Sequence, residues 1–547
     1  MAHNYSKKRT LDAARFAAWD QRDDSEFSHF GLSRKKVKTA QQGLQGYIVM
    51  PGDSQYNTDR MIFNPVFNAY PSMIVYCMVD SDVAIALSLA KQGTAPFTVR
   101  SGGHCTAGFS AGAGVLIDVS NLNGIYIDTS NPSSPTATVG CGVKFGQFRA
   151  ALAPYGLHVP GGECDDVCIG GYLQGGGYGF TSVTFGMNCD NVVSMLVMLA
   201  DGTFVTASPN ENPDLWWAMR GGTGGNFGVL LTVTYQLRPL GDVFGWAIIW
   251  PLSTAEDIDN ATGALMLLQE QYMRTAASPN LNIQVSLCYQ PGVVGGLPLP
   301  PAPMQPYLMV RGIWVGNAED GTVAITPLAE SPGAMVQWTQ ETDFDTLNTE
   351  LLNVPYGMPC FAEGTPMPFE DKASRIVSRD WTAAEWQSLL NYFVTTPNPY
   401  SYFYMEFYGG AINAYPVGES AFIHRDAVFN AVLDVFWWQA EDQVAAQDFL
   451  VGWMNLMEPL YNGHVYQNYP RLDDANYAYK YWGDAQETLW NVKQKYDPDN
   501  VFTFAQAVTP VLVDASSKRA LKARAGSAEK VAKALNAPIV ADARFRR

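Results

Sequence analysis

Glycine is bunched in this chain, and the bunching constrains the fold more than any other feature. Clusters stand at Gly102-Gly103, Gly161-Gly162, Gly170-Gly171, Gly175-Gly176-Gly177 with Gly179, and Gly221-Gly222 with Gly224-Gly225 and Gly228. Glycine adopts φ > 0 without steric cost and lets the backbone approach a ligand with its N–H groups turned toward an anion. A single cluster reads as an ordinary turn. Repeated clusters in one half of the chain point instead to loops that together cradle a long, phosphate-bearing ligand, although glycine content cannot name it.

Between the clusters the elements are short. Asp80-Ser-Asp82 caps a predicted helix over 83–91. Strands are predicted over 96–100, 114–119 and 136–139, with a helix across 143–153. Segments 192–199 and Phe204–Ala207 flank Asp201-Gly202, a hairpin signal. Asn212-Pro213-Asp214 opens a short helix over 215–219, and 228–237 alternates like a strand. From about residue 241 segments lengthen and grow rich in aromatic residues. A proline-rich loop is expected over 292–306, a helix over 383–394, a strand at Tyr402–Phe407, a helix over 479–495 and a turn at 496–500. Residues 1–60 are polar and mixed, so the periodic core is expected to begin near Arg60. The division expected is an N-terminal extension (1–40), a ligand-binding α+β domain (41–240), a second α+β domain (241–475), a return to the first (476–513) and a basic, alanine-rich tail (514–547) whose residues 516–535 form a helix.

Charge removes several functions. With 35 basic against 52 acidic side chains the net charge is −17, which argues against binding a phosphate backbone; no nucleic-acid partner is expected. No apolar stretch approaches the ~20 residues of a membrane helix, and no signal peptide is seen, so a cytoplasmic location with free thiols is expected. Eight cysteines in 547 residues do not make a disulfide scaffold. Gly108-Phe-Ser110-Ala-Gly112 matches a nucleophile elbow in spelling but lacks the strand before and helix after it. Gly222-x-Gly224 follows a helix and opens a strand, the reverse of a dinucleotide-binding turn. Cys164 and Cys168 lack a second pair, so no metal is expected.

Taken in order, the motifs resemble those of the berberine bridge enzyme-like FAD-linked oxidases, in the p-cresol methylhydroxylase/vanillyl alcohol oxidase superfamily. The motifs are Val99-Arg-Ser-Gly-Gly-His104, Pro160-Gly-Gly-Glu-Cys164 with Val167, Gly170-Gly-Tyr-Leu-Gln-Gly-Gly-Gly-Tyr-Gly179, Asp190-Asn-Val192 through Gly202, and Asp214 through Gly228. Tyr466-Gln-Asn-Tyr469 and Tyr496-Asp-Pro-Asp-Asn-Val-Phe502 follow near the end. The resemblance implies a two-domain α+β, PCMH-type FAD-binding fold whose second domain is an antiparallel sheet covered by helices. It implies FAD bonded to His104 and Cys164, an imidazole and a thiolate being suitable nucleophiles. Further cofactor contacts are implied at Arg100, Ser101, Gly102, Gly103, Val167, Gly171, Gly176, Gly177, Gly179, Phe227, Val229 and Gln506. Cys168 stands where the family usually has glycine, Tyr172 where many members carry histidine, and Ile169 near the position expected to govern oxygen access.

The chemistry implied is base-assisted hydride transfer from an alcohol or amine-adjacent carbon to the flavin, with oxygen reduced to hydrogen peroxide. Tyr469 takes the base position, with Tyr466 in reserve. Glu406 is a partner of that base, a second base, or a surface strand carboxylate. Phe422-Ile-His-Arg425 reads as a salt-bridged structural turn. Tyr402, Phe403, Tyr404, Tyr408, Trp437 and Trp438 read more as core than as a stacking groove, so oligosaccharide and secondary-metabolite substrates both stay open. The partners implied are a small-molecule substrate and oxygen or another acceptor, with no membrane. A dehydrogenase of the same family and a non-catalytic flavin-binding protein are the alternatives.

Overall fold

The computed structural model describes residues 2–28, 30–273, 278–291, 293–294, 297–298, 304–348 and 367–510. The predicted tail helix lies outside the described residues. Among them, no helix is long and apolar enough to cross a membrane.

The glycine-rich half builds two small sheets. In the first, Met73–Tyr76, Val115–Asp118 and Thr98–Arg100 run parallel, with Tyr47–Val49 antiparallel at one edge. Helix Asp80–Ala90 makes the crossover, buries Val83, Ala86, Leu87 and Ala90, and carries Asp80 and Asp82 in its first turn, where the helix dipole favours them. The second sheet is antiparallel, in the order Ile125–Asp128, Thr136–Gly140, Val229–Gln236, Val192–Met198, Phe204–Ala207.

The hydrophobic core of this half begins well before Arg60. Helices Ala2–Asp20, Ser25–Ser28 and Arg34–Gly43 place Trp19, Phe27 and Val37, with Leu32 from the connection between the last two, in the core that holds Met73 and Val75. Apolar residues are sparse along this segment, but the helices gather them onto one side. Trp19 is fully buried, so Trp19→Ala is expected to cost about 3–5 kcal/mol; a chemical denaturation midpoint unchanged within error would show the N-terminal helices to be dispensable. Val465, Trp482, Leu489 and Phe502 join the same core from the far end of the chain. There the single helix expected over 479–495 is two, Tyr477–Trp482 and Gln486–Tyr496, broken at Gly483, whose φ is +48°.

Between these segments lies one antiparallel sheet: β1 Val243–Pro251, β2 Leu281–Pro291, β3 Met304–Trp314, β4 Met335–Thr342, β5 Phe369–Val377, β6 Tyr402–Phe407 and β7 Phe429–Trp437. Their spatial order is β4-β1-β3-β2-β6-β7-β5. The stretch 292–306 is not a plain loop. The β2–β3 ladder persists to Pro291↔Met304, and Val293–Val294 pairs with Leu297–Pro298 beyond it. Helices Ala255–Gln271, Ala383–Phe393 and Gln443–Met457 cover one face; Thr254–Asp257 and Thr382–Glu385 capping boxes start the first two.

Side chains alternate across a strand. Ile283, Val285 and Leu287 of β2, Phe403, Met405 and Phe407 of β6, and Leu433 and Val435 of β7 therefore pack under the helices. Their neighbours take the opposite face: Gln284, Arg311, Tyr404, Glu406, Asn430, Asp434, Glu370 and Lys372. That polar face looks toward the glycine loops. The fold is thus a mixed α+β arrangement in which a helix-backed sheet faces a glycine-rich, loop-bearing half.

Candidate active site

A cavity of about 970 Å³ separates the glycine loops from the polar face of the large sheet. That volume is at the upper end of what a small-molecule site offers, so it suits a large ligand together with a second molecule. Ser101, Gly102, Gly103, His104, Cys164, Val167, Gly171, Val229, Glu406, Tyr466, Tyr469 and Gln506 all line it.

The loop carrying His104 leaves the parallel sheet at Arg100. The Arg100 side chain donates from Nε to Asp118 Oδ2 at 2.6 Å and from Nη1 to the Met61 carbonyl at 3.3 Å. It therefore anchors the loop from behind and is not part of the cavity wall. Ser101 Oγ donates to the Cys141 carbonyl at 2.7 Å, and Gly103 turns the chain at φ +73°. The His104 ring stacks on Phe63, centroids 4.7 Å apart. Burial pushes its pKa down to about 4, so the imidazole is neutral and keeps a nucleophilic lone pair.

Cys164 is partly exposed to the cavity, whereas Cys168 is buried and donates from Sγ to the Gly142 carbonyl at 3.3 Å. A Cβ on Gly102 would stand 3.0 Å from that sulfur, so Cys168 backs the glycine loop. Of the two thiols, Cys164 is the more open. Burial, then the charge of Glu163, raises its pKa to about 12.

The remaining glycines divide by what they approach. A Cβ at Gly171 would meet nothing within 4 Å, so this glycine opens on the cavity. Gly176, Gly177 and Gly179 do not line it. A Cβ there would strike Phe422 at 2.7 Å, Tyr172 at 2.4 Å and the Gly161 carbonyl at 1.9 Å; these glycines serve close packing of protein on protein. Phe227 likewise belongs to the core, as does Ile169, which turns into it beside Leu173 and is no part of the cavity wall, while Val167 is. Gln506 accepts from Tyr481 Oη at 2.8 Å and donates to the Arg471 carbonyl at 2.5 Å. Ser110 lines the cavity with a buried hydroxyl that has no hydrogen-bond partner among the described residues. The next element after it is the strand Val115–Asp118, so it does not sit on a nucleophile elbow. The open space at Gly171, the orphaned hydroxyl and the turned glycines at 102–103 and 224–225 together fit a phosphate-bearing ligand with an extended ring.

On the sheet side, Tyr469 Oη donates to Glu406 Oε1 at 2.6 Å, and Glu406 Oε2 accepts from Asn430 Nδ2 at 2.9 Å. Glu406 is 3% exposed and is not a surface carboxylate, because alternate residues of β6 face inward. Burial raises its pKa to about 7. Burial, then the Glu406 charge, holds Tyr469 well above the ordinary phenol range. Tyr466 sets its ring edge-on to Tyr469, centroids 5.0 Å apart, and its oxygen accepts from the Gly177 N–H at 2.9 Å and Asn468 Nδ2 at 3.0 Å. With its oxygen holding the loop to the site, Tyr466 reads as a positioning residue.

The sequence reading missed the charged groups beside Tyr469. Lys372 Nζ lies 5.0 Å over the Tyr469 ring and pairs with Glu370 at 2.9 Å and Asp434 at 2.7 Å. Burial opposes its charge, but Asp434 and Glu370 outweigh burial and hold its pKa well above the lysine range. Glu163, Gln284 and Arg311 also face the cavity and were missed. For Gln284, Arg311, Glu370 and Lys372 the signal was the period of two in β2, β3 and β5; Glu163 stands on a loop, where no such period applies. The aromatic residues split: Tyr402 and Tyr404 line the cavity, correcting the expectation that they were core, and Phe436, which the sequence reading did not single out, lines it with them, while Phe403 and Trp437 pack under the helices. Arg425 makes the structural pair expected of it, donating to both Asp190 oxygens at 2.6 and 2.8 Å.

Comparison with known proteins places this geometry. Residues 71–208 match the FAD binding domain family, and residues 465–509 match the family described as Berberine and berberine like. An uncharacterized FAD-linked oxidoreductase of Bacillus subtilis is 28% identical over 85% of this chain and 98% of its own. A carbohydrate oxidase of Microdochium nivale is 27% identical over 85% of this chain and 93% of its own. The solved structure of the Physcomitrella patens BBE-like 1 protein superposes with a TM-score of 0.74, covering 87% of this chain and all of that one at 24% identity, which shows the shared fold. Two family matches in the expected order, full-length relatives and a common fold converge on one conclusion: the chain is an enzyme of the berberine bridge enzyme-like family of FAD-linked oxidoreductases.

Proposed function

We propose that the enzyme oxidises a hydroxyl-bearing carbon of a bulky substrate, with FAD bonded to both His104 and Cys164, and that dioxygen takes the electrons to give hydrogen peroxide. The observation that carries this reading is the Tyr469–Glu406 hydrogen bond, 2.6 Å long, opening on the same cavity as His104 and Cys164. FAD supplies the hydride acceptor when bound. The chain supplies the base: Tyr469 takes the substrate hydroxyl proton as the neighbouring carbon gives up hydride, and Glu406 takes the tyrosine proton in turn. Lys372 over the ring stabilises negative charge developing on Tyr469. An amine-adjacent carbon would satisfy the same base.

The lining supports a hydroxylated substrate. Tyr402, Tyr404 and Phe436 offer faces to stack on, while Gln284, Arg311 and Asp434 offer polar atoms. Relatives named carbohydrate oxidase and xylooligosaccharide oxidase agree with an oligosaccharide. Because Ile169 faces the core, it offers no barrier to oxygen, and the oxidase reading is preferred to the dehydrogenase one.

The test is spectral and kinetic. Acid-precipitated protein is expected to stay yellow, and turnover in air to release peroxide equal to product. A colourless precipitate defeats the covalent attachment, and flavin that remains reduced for minutes in air defeats the oxidase. The pH profile gives a second expectation. Glu406 acts in its ionised form and its pKa is raised to about 7, so the rate of flavin reduction should climb as pH rises through about 7 and level off above it. Anaerobic stopped-flow reduction measures this; Glu406→Gln should lose that limb, and an unchanged profile in the variant excludes Glu406 as the proton acceptor.

A further inference from the structure

The oxidation proposed above leaves one carboxyl of the cavity unused. Glu163 directly precedes Cys164 on the loop between Leu157–His158 and Ile169–Tyr172, and both residues are only partly buried where they line the cavity. The carboxyl is held in place. Oε1 accepts from Gln284 Nε2 at 2.6 Å, and Gln284 Oε1 in turn accepts from Arg311 Nε at 3.1 Å. Asn348 Nδ2 donates to the Glu163 carbonyl at 2.8 Å and fixes the backbone. Glu163 Oε2 makes no hydrogen bond among the described residues and is free to accept one.

Cys164 needs such an acceptor. The thiolate, not the thiol, is the nucleophile, and burial holds this thiol far from ionising at neutral pH. After burial, the charge of Glu163 is the next largest influence on that thiol. Burial also raises the Glu163 pKa to about 7, in the range where a carboxylate accepts a proton efficiently at neutral pH. Arg311 and Lys372 oppose that rise and keep a share of it ionised. Glu406 also reaches Glu163 electrostatically, but it is committed to Tyr469.

We infer that Glu163 is the proton acceptor for Cys164 when the cysteine sulfur bonds to the flavin ring. The inference rests on the covalent reading given under Proposed function. The step balances as follows. The S–H bond of Cys164 and one ring C–H bond break, and one C–S bond forms. The two electrons and two protons released reduce one dioxygen to hydrogen peroxide. Glu163 accepts the sulfur proton, passes it on and ends unchanged.

The test uses the full chain expressed as wild type, Glu163→Gln and Glu163→Asp, with flavin-bearing peptides identified by mass spectrometry and Cys164 alkylated after denaturation. Wild type should yield the His104 and Cys164 peptides bridged by one flavin. Glu163→Gln should yield flavin on His104 alone, with Cys164 alkylated and bridging slowed at least tenfold; the surviving histidine link reports that the variant folds and binds FAD. Raising the pH should restore bridging in Glu163→Gln, because hydroxide replaces the missing acceptor, and Glu163→Asp should bridge at an intermediate rate. Bridging at the wild-type rate in Glu163→Gln overturns the inference. So does loss of flavin from both anchors, or bridging that no pH restores, since either makes Glu163 a structural support. A wild type without the bridge removes the covalent reading and this inference with it, whereas a bridged wild type beside an equally bridged variant removes Glu163 alone.

Discussion

Replacing Tyr469 by phenylalanine is expected to slow reduction of the flavin by substrate about 10²–10⁴-fold, the range a positioned general base contributes. The change deletes one oxygen from a half-buried ring. What it removes is the hydrogen bond to Glu406 at 2.6 Å and the group proposed to take the substrate proton. The edge-on contact with Tyr466 at 5.0 Å and the Lys372 charge above the ring survive, so folding and FAD binding should change little. Glu406, left with Asn430 as its one hydrogen-bond partner, becomes harder to ionise. Any residual rate should therefore fall further at low pH. The measurement is single-turnover anaerobic reduction followed at the flavin absorbance. If the variant reduces its flavin as fast as wild type, Tyr469 is not the base and Glu406 must act directly on substrate.

Lys372→Met should produce the largest loss of stability of any single change at the site. Lys372 is partly buried and pairs with the buried Glu370 and Asp434 at once. Removing one member of a buried ion pair leaves charge uncompensated and costs about 3–5 kcal/mol. The cost should depend on pH with a definite sign. Asp434 already has its pKa raised well above the ordinary carboxylate value, by burial first and then by Glu370. A carboxyl whose folded-state pKa is raised favours the folded state while protonated and loses that contribution as pH rises through the folded pKa. Without the lysine the rise is greater, so the variant should be closest to wild type at low pH and fall away from it on the alkaline side. Denaturant midpoints across the pH range measure this. A pH-independent difference would mean that packing of the lysine stem, not its charge, supports the site. The same variant should also slow flavin reduction, because the cation over the Tyr469 ring is lost; Lys372→Arg should restore more stability than rate, since the planar guanidinium cannot reproduce the compact ammonium position.

Much of the site lay in local spelling. His104, Cys164 and Tyr469 each stand in a motif whose order along the chain pointed to one family, and the cavity gathers all of them. Short strands and helices in the glycine-rich half were legible because turn residues punctuate them. The wrong expectations share a different cause. Gly176, Gly177 and Gly179 looked like ligand loops, but a glycine required by a nearby side chain is spelled like one required by a phosphate. Ile169 sits within two residues of the cavity-lining Val167 and opens the helical turn that carries Gly171, but its own side chain packs into the core. The N-terminal helices seemed to stand outside the core because their few apolar residues become a cluster only when docked.

The sequence by itself determined which residue types the proposed chemistry draws on: glycine loops for a phosphate-bearing cofactor, two nucleophiles proposed to hold it and a tyrosine proposed to move a proton. Those depend on residue type and on neighbours within a few positions. The tertiary structure alone decided which face of each strand in the large sheet looks at the cavity. A period of two separates Glu406 from Met405 and Lys372 from Ala373, but it cannot say which set meets the helices and which meets the glycine loops. That choice follows from burying the apolar set under helices drawn from distant parts of the chain. Once it is made, Glu406, which the sequence offered as a partner of the base, and a lysine unremarkable in the sequence stand beside the tyrosine, with proton affinities set by burial and by the charges around them.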